Sequence, residues 1–318
     1  MSAATADPDV TVVVPTRNRR GLLQDCLASV LAQEAVPFEL VVVDDASTDD
    51  TPSWLETVRD PRVRTVRLPV PGERSSARNR GMAEARGRFV MFLDDDDLLW
   101  PRALQVLARA LDEHPSAVAA VGARWTRFAG ESYERRDAHP RVSRVREILD
   151  ELLLGWSAVS GQSLYRSALV REVGGFDPDL TCCEDRDLWL RLATRGPIVL
   201  RPEIVMTYYL RPRSEHLREL RALRESVARR AIDRLPPQRQ RHAQRLRRTN
   251  QLLDEAEDAL SAGRFRSGLV SAMRAGLSTP GIFASPLIGE WVFRRLAGRV
   301  ARRLRPPASA SPPTDRSA

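Results

Sequence analysis

The sequence predicts an α/β fold on a central, mostly parallel sheet, followed by a helical C-terminal extension. Three observations carry this expectation. Short β-branched apolar runs recur at 10–14, 38–43, 63–68 and 89–93; stretches with apolar residues at helical spacing separate them; and from Glu215 onward the strand-like runs give way to long helical patterns. Near-continuous apolar strands alternating with amphipathic helices describe a parallel sheet covered on both faces.

Taken in order, Val10-Thr11-Val12-Val13-Val14 closes on Pro15, and Leu22, Leu23, Cys26, Leu27, Val30 and Leu31 then follow helical periodicity. The run Phe38 to Val43 stops at Asp44-Asp45, after which Ser47-Thr48-Asp49-Asp50-Thr51 supplies capping residues for a helix around Trp54 and Leu55. Val63 to Leu68 leads through Pro69-Val70-Pro71-Gly72 to a helix from about Ser75 to Ala85, ended by Gly87. The fourth strand begins at Phe89 and runs into Asp94-Asp95-Asp96-Asp97. A helix from Trp100-Pro101 to about His114 and a strand at Ala117 to Gly122 follow, and the polar, Arg-rich stretch Arg124 to Arg146 reads as a mobile loop. Glu184 and Asp185 then open an amphipathic helix, whose dipole favours ionised carboxylates at that end.

Beyond Glu215 the pattern gives helices over 217–235, 238–260 and 265–275, broken at Pro236-Pro237. In Leu287 to Arg305, Phe293, Leu296, Ala297, Val300 and Leu304 share one helical face and Arg294, Arg295, Arg302 and Arg305 the other. This segment reads either as a helix lying on an anionic membrane surface or as one docked on the catalytic domain. The expected organisation is a disordered 1–9, a catalytic domain over 10–214, a basic helical extension over 215–305 and a disordered tail over 306–318.

With 318 residues and 42% hydrophobic content the chain can bury a full core. No run of 18 apolar residues and no apolar leader occurs, so a cytoplasmic protein is expected. Cys26, Cys182 and Cys183 have neither the number nor the spacing of a disulfide framework or zinc site. All 50 basic residues are Arg, a compositional bias under which no single Arg is informative. Residues 1–215 hold 29 Arg against 33 Asp and Glu, whereas 216–305 hold 20 against 8. That basic segment raises nucleic-acid binding as an alternative, but it lacks the interleaved aromatics of single-strand binders, and no nucleic-acid partner is expected.

Four adjacent carboxylates repel one another, a cost tolerated when a cation sits among them or when they lie in water. Here they stand at the carboxyl end of an apolar strand, where open α/β sheets bind ligands. Position favours a metal-assisted site.

Five stretches in order carry a resemblance: Val13-Val14-Pro15-Thr16-Arg17-Asn18, Val42-Val43-Asp44-Asp45-Ala46-Ser47-Thr48-Asp49, Ser76-Ala77-Arg78-Asn79-Arg80-Gly81, Phe92-Leu93-Asp94-Asp95-Asp96-Asp97 and Glu184-Asp185-Arg186-Asp187-Leu188-Trp189. Over about residues 10 to 213 the chain resembles the family 2 glycosyltransferases, inverting enzymes with the GT-A nucleotide-sugar-binding fold. The resemblance implies a UDP- or dTDP-type sugar donor, with Asp45, beside Asp44, accepting from the base's ring N–H. Pro15, Thr16 and Asn18 resemble the lip of that pocket, and Arg78 is expected near the base or diphosphate. Asp94, Asp95 and Asp96 cover the D-x-D signature, with Asp96 as the ligand of Mn²⁺ or Mg²⁺ and Asp95 at the ribose; Asp97 either caps the next helix or faces water. Asp185 resembles the general base. Glu184, Gly175, Phe176, Asp177 and Trp189 are expected on the acceptor side, although Trp189 at helical spacing from Leu188 and Leu192 also reads as core. Arg211 or Arg213 resembles a diphosphate contact in a closing loop. The implied acceptor is a glycan, lipid-linked or protein hydroxyl in cell-surface polysaccharide biosynthesis, met at the inner face of the plasma membrane. A nucleotidyltransferase is the alternative enzyme, but 15–21 lack its glycine-rich phosphate loop.

Overall fold

A computed structural model gives the architecture and describes residues 7–128, 134–136, 142–210 and 217–280, with Val292 and Leu296. Arg211, Arg213, most of the segment from Leu287 to Arg305, residues 1–6 and the tail 306–318 lie outside the described residues. By packing the chain divides into two units, Met1–Gln244 and Arg245–Ala318.

In the first unit, β1 (Val10–Thr16), β2 (Phe38–Asp44), β3 (Val63–Arg67) and β4 (Phe89–Phe92) form the parallel order β3-β2-β1-β4. The helices α1 (Arg20–Leu31), α2 (Thr51–Leu55) and α3 (Glu73–Glu84) connect them. Buried valines in β1 and β2 explain the apolar runs, since both strands are covered on two faces. α3 crosses β1 closely at Gly81, where a Cβ would stand 2.2 Å from Val13 Cγ1; only glycine fits there.

The parallel expectation holds for these four strands, and beyond them the sheet is mixed. Its full order is β3-β2-β1-β4-β9-β6-β10-β5, with β5 (Leu98–Leu99), β6 (Ala119–Phe128), β9 (Ser163–Arg166) and β10 (Ile198–Leu210). β9 is antiparallel to both β4 and β6, and β10 is parallel to β6. The loop expected over 124–146 is corrected: β6 extends to Phe128, β7 (Glu134–Arg136) pairs with β6 and β8 (Arg144–Arg146) pairs with β10. Arg144 and Val145 are exposed, so this edge strand is specified by backbone pairing and leaves no apolar alternation to read.

Between β5 and β6 lies α4 (Ala103–Glu113), with Leu104, Leu107 and Leu111 fully buried. Two short helices, α5 (Leu149–Leu153) and α6 (Ser167–Glu172), precede α7 (Glu184–Leu192). α8 (Leu217–Asp233) packs on α7 and belongs to the first unit, so the change of packing comes later in the chain than the change of composition at Glu215. α9 (Pro237–Ser261) runs across the division, and α10 (Phe265–Ser278) lies in the second unit, where Gly268 packs against Leu260.

The strand order decides where chemistry can sit. After β1 the chain builds β2 and β3 on one side, then returns to place β4 on the other, so the carboxyl ends of β1 and β4 flank the crevice where open sheets take ligands.

Candidate active site

Two adjoining cavities open at this edge. The first, about 470 Å³, is lined by Pro15 and Thr16 at the end of β1, Asp45 after β2, Arg74 on α3 and Asp94, Asp95 and Asp96 after β4. Six of the expected donor and metal residues are therefore brought together. Thr16 Oγ1 donates to Asp95 Oδ2 at 2.8 Å, and Arg19 Nη1 donates to Asp95 Oδ1 at 3.0 Å and Asp96 Oδ2 at 3.4 Å. Asp45 Oδ1 accepts from the Gly72 N–H at 2.6 Å, which fixes the carboxylate at the cavity wall.

The acidic run is internally divided. Carboxylate oxygens of Asp94, Asp96 and Asp97 lie within 4.8 Å of one another. Burial pushes the Asp97 carboxyl well up, and the Asp94 charge adds to it. Burial also raises Asp95, against the Thr16 hydroxyl and Arg19. At Asp94 burial acts upward too, but the Arg78 charge outweighs it and the net direction is down. Three oxygen donors this close, with part of their charge uncompensated, fit a hard divalent cation. Asp97 neither caps a helix nor faces water. It is 2% exposed and accepts from the Tyr209 N–H at 3.1 Å, because the end of β10 returns to this loop.

The second cavity, about 370 Å³, shares Arg74, Asp94 and Tyr208 with the first and contains Asp185. Asp185 sits in the first turn of α7, with Oδ1 accepting from the Arg186 N–H at 2.7 Å. Burial and the neighbouring Glu184 charge push its carboxyl above the ordinary range, with Arg78 opposing. Arg78 joins the two halves: Nη1 donates to Glu184 Oε1 at 2.6 Å and Nη2 to Asp94 Oδ1 at 2.5 Å. It lines the second cavity and reaches the first through Asp94, so in this structure the arginine expected near the base or diphosphate forms an internal bridge.

Other expected residues are placed differently. Asn18 has φ 54° and accepts from the N–H groups of Thr48 and Asp49, fastening one loop to another. Asp44 is 1% exposed, and its Oδ1 accepts from Ser47 N–H, so it shapes the turn and does not line the donor cavity. Four residues of the expected acceptor-side group lie away from both cavities. Trp189 is fully buried with its ring centroid 5.1 Å from that of Tyr165, and Phe176 packs edge-on to Phe92 at 4.7 Å. Asp177 pairs with Arg230 on α8 at 2.9 Å. Gly175, at φ 67°, lies where a Cβ would be 2.6 Å from Asn79 Oδ1, and Asn79 exchanges two hydrogen bonds with the Phe176 backbone. This stretch braces α3 from inside. Of the expected acceptor group only Glu184 lines either of these two cavities, as the partner of Arg78. Arg19, Arg74, Arg124, Arg224 and Tyr208 line the cavities without having been expected there, because an all-Arg composition hides individual Arg residues.

Residues 11–174 match the sequence model of the family described as Glycosyl transferase family 2. The chain belongs to this family. Among relatives of this glycosyltransferase, the uncharacterized protein MT1568 of Mycobacterium tuberculosis is 31% identical over 215 residues, covering 64% of the chain and 67% of that protein. The succinoglycan biosynthesis protein ExoO of Rhizobium meliloti is 40% identical over 112 residues, 35% of the chain and 32% of that relative's length. The structure of S. aureus TarS 1–349 in complex with UDP-GlcNAc superposes with a TM-score of 0.64 at 20% identity, covering 92% of the chain and 89% of that structure. That likeness shows a shared fold, the GT-A arrangement of a mixed sheet with C-terminal helices.

Proposed function

We propose that this glycosyltransferase moves a sugar, with inversion, from a UDP- or dTDP-type nucleotide sugar to a hydroxyl of a glycan, lipid-linked or protein acceptor. The observation that carries the reading is the meeting of two cavities at Asp94, with the clustered carboxylates on one side and Asp185 on the other. Asp45 at the wall suits the imide N–H of uracil or thymine. Asp96, with Asp94 and Asp97, would hold Mn²⁺ or Mg²⁺. When bound, such an ion offsets charge on the departing diphosphate. Asp185 takes the acceptor's proton as the hydroxyl attacks the anomeric carbon, and its raised pKa brings its basicity closer to the task. The UDP-GlcNAc bound by TarS and the succinoglycan role of ExoO agree with a uridine donor and a cell-surface polysaccharide product.

The test is calorimetric titration of the full chain against UDP, dTDP and GDP with and without Mn²⁺. Metal-dependent binding of UDP or dTDP is expected, and equal indifference to all three would overturn the donor assignment.

A peripheral position on the inner face of the plasma membrane is part of the same proposal. No helix among the described residues is long and apolar enough to cross a membrane. In the second unit, however, α10 exposes Phe265, Leu269, Val270, Met273 and Leu277 beside the exposed Arg264, Arg266 and Arg274. Apolar side chains flanked by guanidiniums suit an anionic bilayer surface. Co-sedimentation with vesicles containing phosphatidylglycerol is expected, with loss in Leu269→Glu/Met273→Glu; equal partitioning of that variant would remove the assignment.

A further inference from the structure

The two cavities differ in charge. Around the first, Asp45, Glu73, Asp94, Asp95 and Asp96 outnumber Arg17, Arg19 and Arg74. Around the second, Arg74, Arg78, Arg124, Arg186 and Arg224 outnumber Asp94, Glu184 and Asp185.

Not all of these guanidiniums are available. Arg78 is committed to Asp94 and Glu184, Arg124 donates to Gln162 Oε1 and Arg186 to the Leu152 carbonyl. Arg74 and Arg224 are exposed, and among the described residues neither has a hydrogen bond or an ion pair. Arg74 stands on the shared wall, so its charge serves either cavity. Arg224, on α8, lines only the second, and its charge reaches Cys183, the residue before α7. Ser157, Ser160 and Thr126 add hydroxyls to that wall and no charge. An uncommitted guanidinium facing a polar cavity offers forked donors that match a phosphate or carboxylate.

Resting on the glycosyltransferase reading above, we infer that the acceptor carries an oxyanion, a phosphate or a carboxylate, and that Arg224 recognises it. The acceptor hydroxyl then lies toward Asp185 and the anion toward α8. Arg224 is a specificity residue: it selects the substrate without entering the displacement at the anomeric carbon.

The experiment is calorimetric titration of the full chain, alone and saturated with UDP and Mn²⁺. Glycerol 3-phosphate and glucuronate are the probes, with glycerol and glucose as uncharged counterparts. At least one charged probe is expected to bind more tightly than its counterpart, and which one does so separates a phosphate-bearing from a uronate-bearing acceptor. Arg224→Gln is expected to weaken that probe about tenfold, the loss of one charge-assisted contact, with Arg224→Lys intermediate and UDP affinity unchanged in both. The exposed position makes these variants compatible with folding, which their thermal midpoints check. Charged probes that bind no better than uncharged ones, or an Arg224→Gln variant that binds them like the parent, would overturn the inference even if UDP binding is intact. Absence of UDP binding with the Arg224 effect preserved would count against the donor reading alone.

Discussion

Arg78 Nη1 stands 2.6 Å from Glu184 Oε1 and joins the helix before the acidic run to the helix that carries Asp185. Its side chain is 3% exposed, so both terminal nitrogens are committed in a desolvated setting. Removing one member of such a pair leaves an uncompensated buried charge, which costs more than the intact pair contributes. Arg78→Met is therefore expected to lower unfolding free energy by about 3–5 kcal/mol, measured by urea denaturation. Adding Glu184→Gln should recover part of that loss, and a double variant no more stable than the single would show that the coupling lies elsewhere.

Asp96→Ala should abolish Mn²⁺- or Mg²⁺-dependent turnover, because Asp96 shares the oxygen cluster with Asp94 and Asp97 and, like Asp94, lines the first cavity. Mn²⁺ titration followed by calorimetry gives the same answer without an acceptor. Unchanged metal affinity in this variant would displace the ligand assignment.

For Asp185 the pH dependence has a definite sign. Burial and Glu184 raise its pKa above the ordinary aspartate value of about 3.9. A base works only when ionised, so transfer is present above the raised pKa and lost as pH falls through it. The acid limb of the kcat profile should lie above the ordinary aspartate range, and Glu184→Gln should move it to lower pH. Asp185→Asn should keep UDP affinity and slow transfer by on the order of 10²-fold or more. Transfer at the parent rate would remove Asp185 as the base.

Trp189→Phe separates packing from acceptor contact. The indole is fully buried against Tyr165. The variant should lower the thermal midpoint while leaving the acceptor KM unchanged, and Trp189→Ala should cost about 3–5 kcal/mol. A raised acceptor KM at unchanged stability would return Trp189 to the cavity wall.

The legible parts of this protein are those whose signal is local. Val10 to Val14 and Phe89 to Leu93 announce buried strands because burial on both faces leaves no room for polar residues. Asp45, Asp94, Asp95, Asp96 and Asp185 are legible because a carboxylate at a strand end or helix start has few purely structural uses. What escaped depends on partners distant in sequence. The strand-forming part of 124–128 is specified by its pairing with Met206 to Leu210, and the half-buried Arg124 and exposed Arg127 carry no apolar alternation. Phe176 and Trp189 follow the same helical or loop spacing whether they face a cavity or the core, and only tertiary packing separates the two. In an all-Arg composition nothing in the sequence distinguishes Arg74 and Arg224; what marks them is that neither has a hydrogen bond or ion pair among the described residues.

The return of β10 to the acidic loop also bears on biosynthesis. Asp97 is secured by the Tyr209 N–H, and Leu98 and Leu99 pair with Thr207 and Met206. The first cavity therefore takes its walls from residue 15 to residue 209. On the ribosome that cavity stays unfinished until translation has passed Tyr209 and that strand has left the exit tunnel. A ligand of that cavity would thus meet its complete wall only late in synthesis. Before then the β3-β2-β1-β4 part of the sheet is the framework already present for the residues that line it.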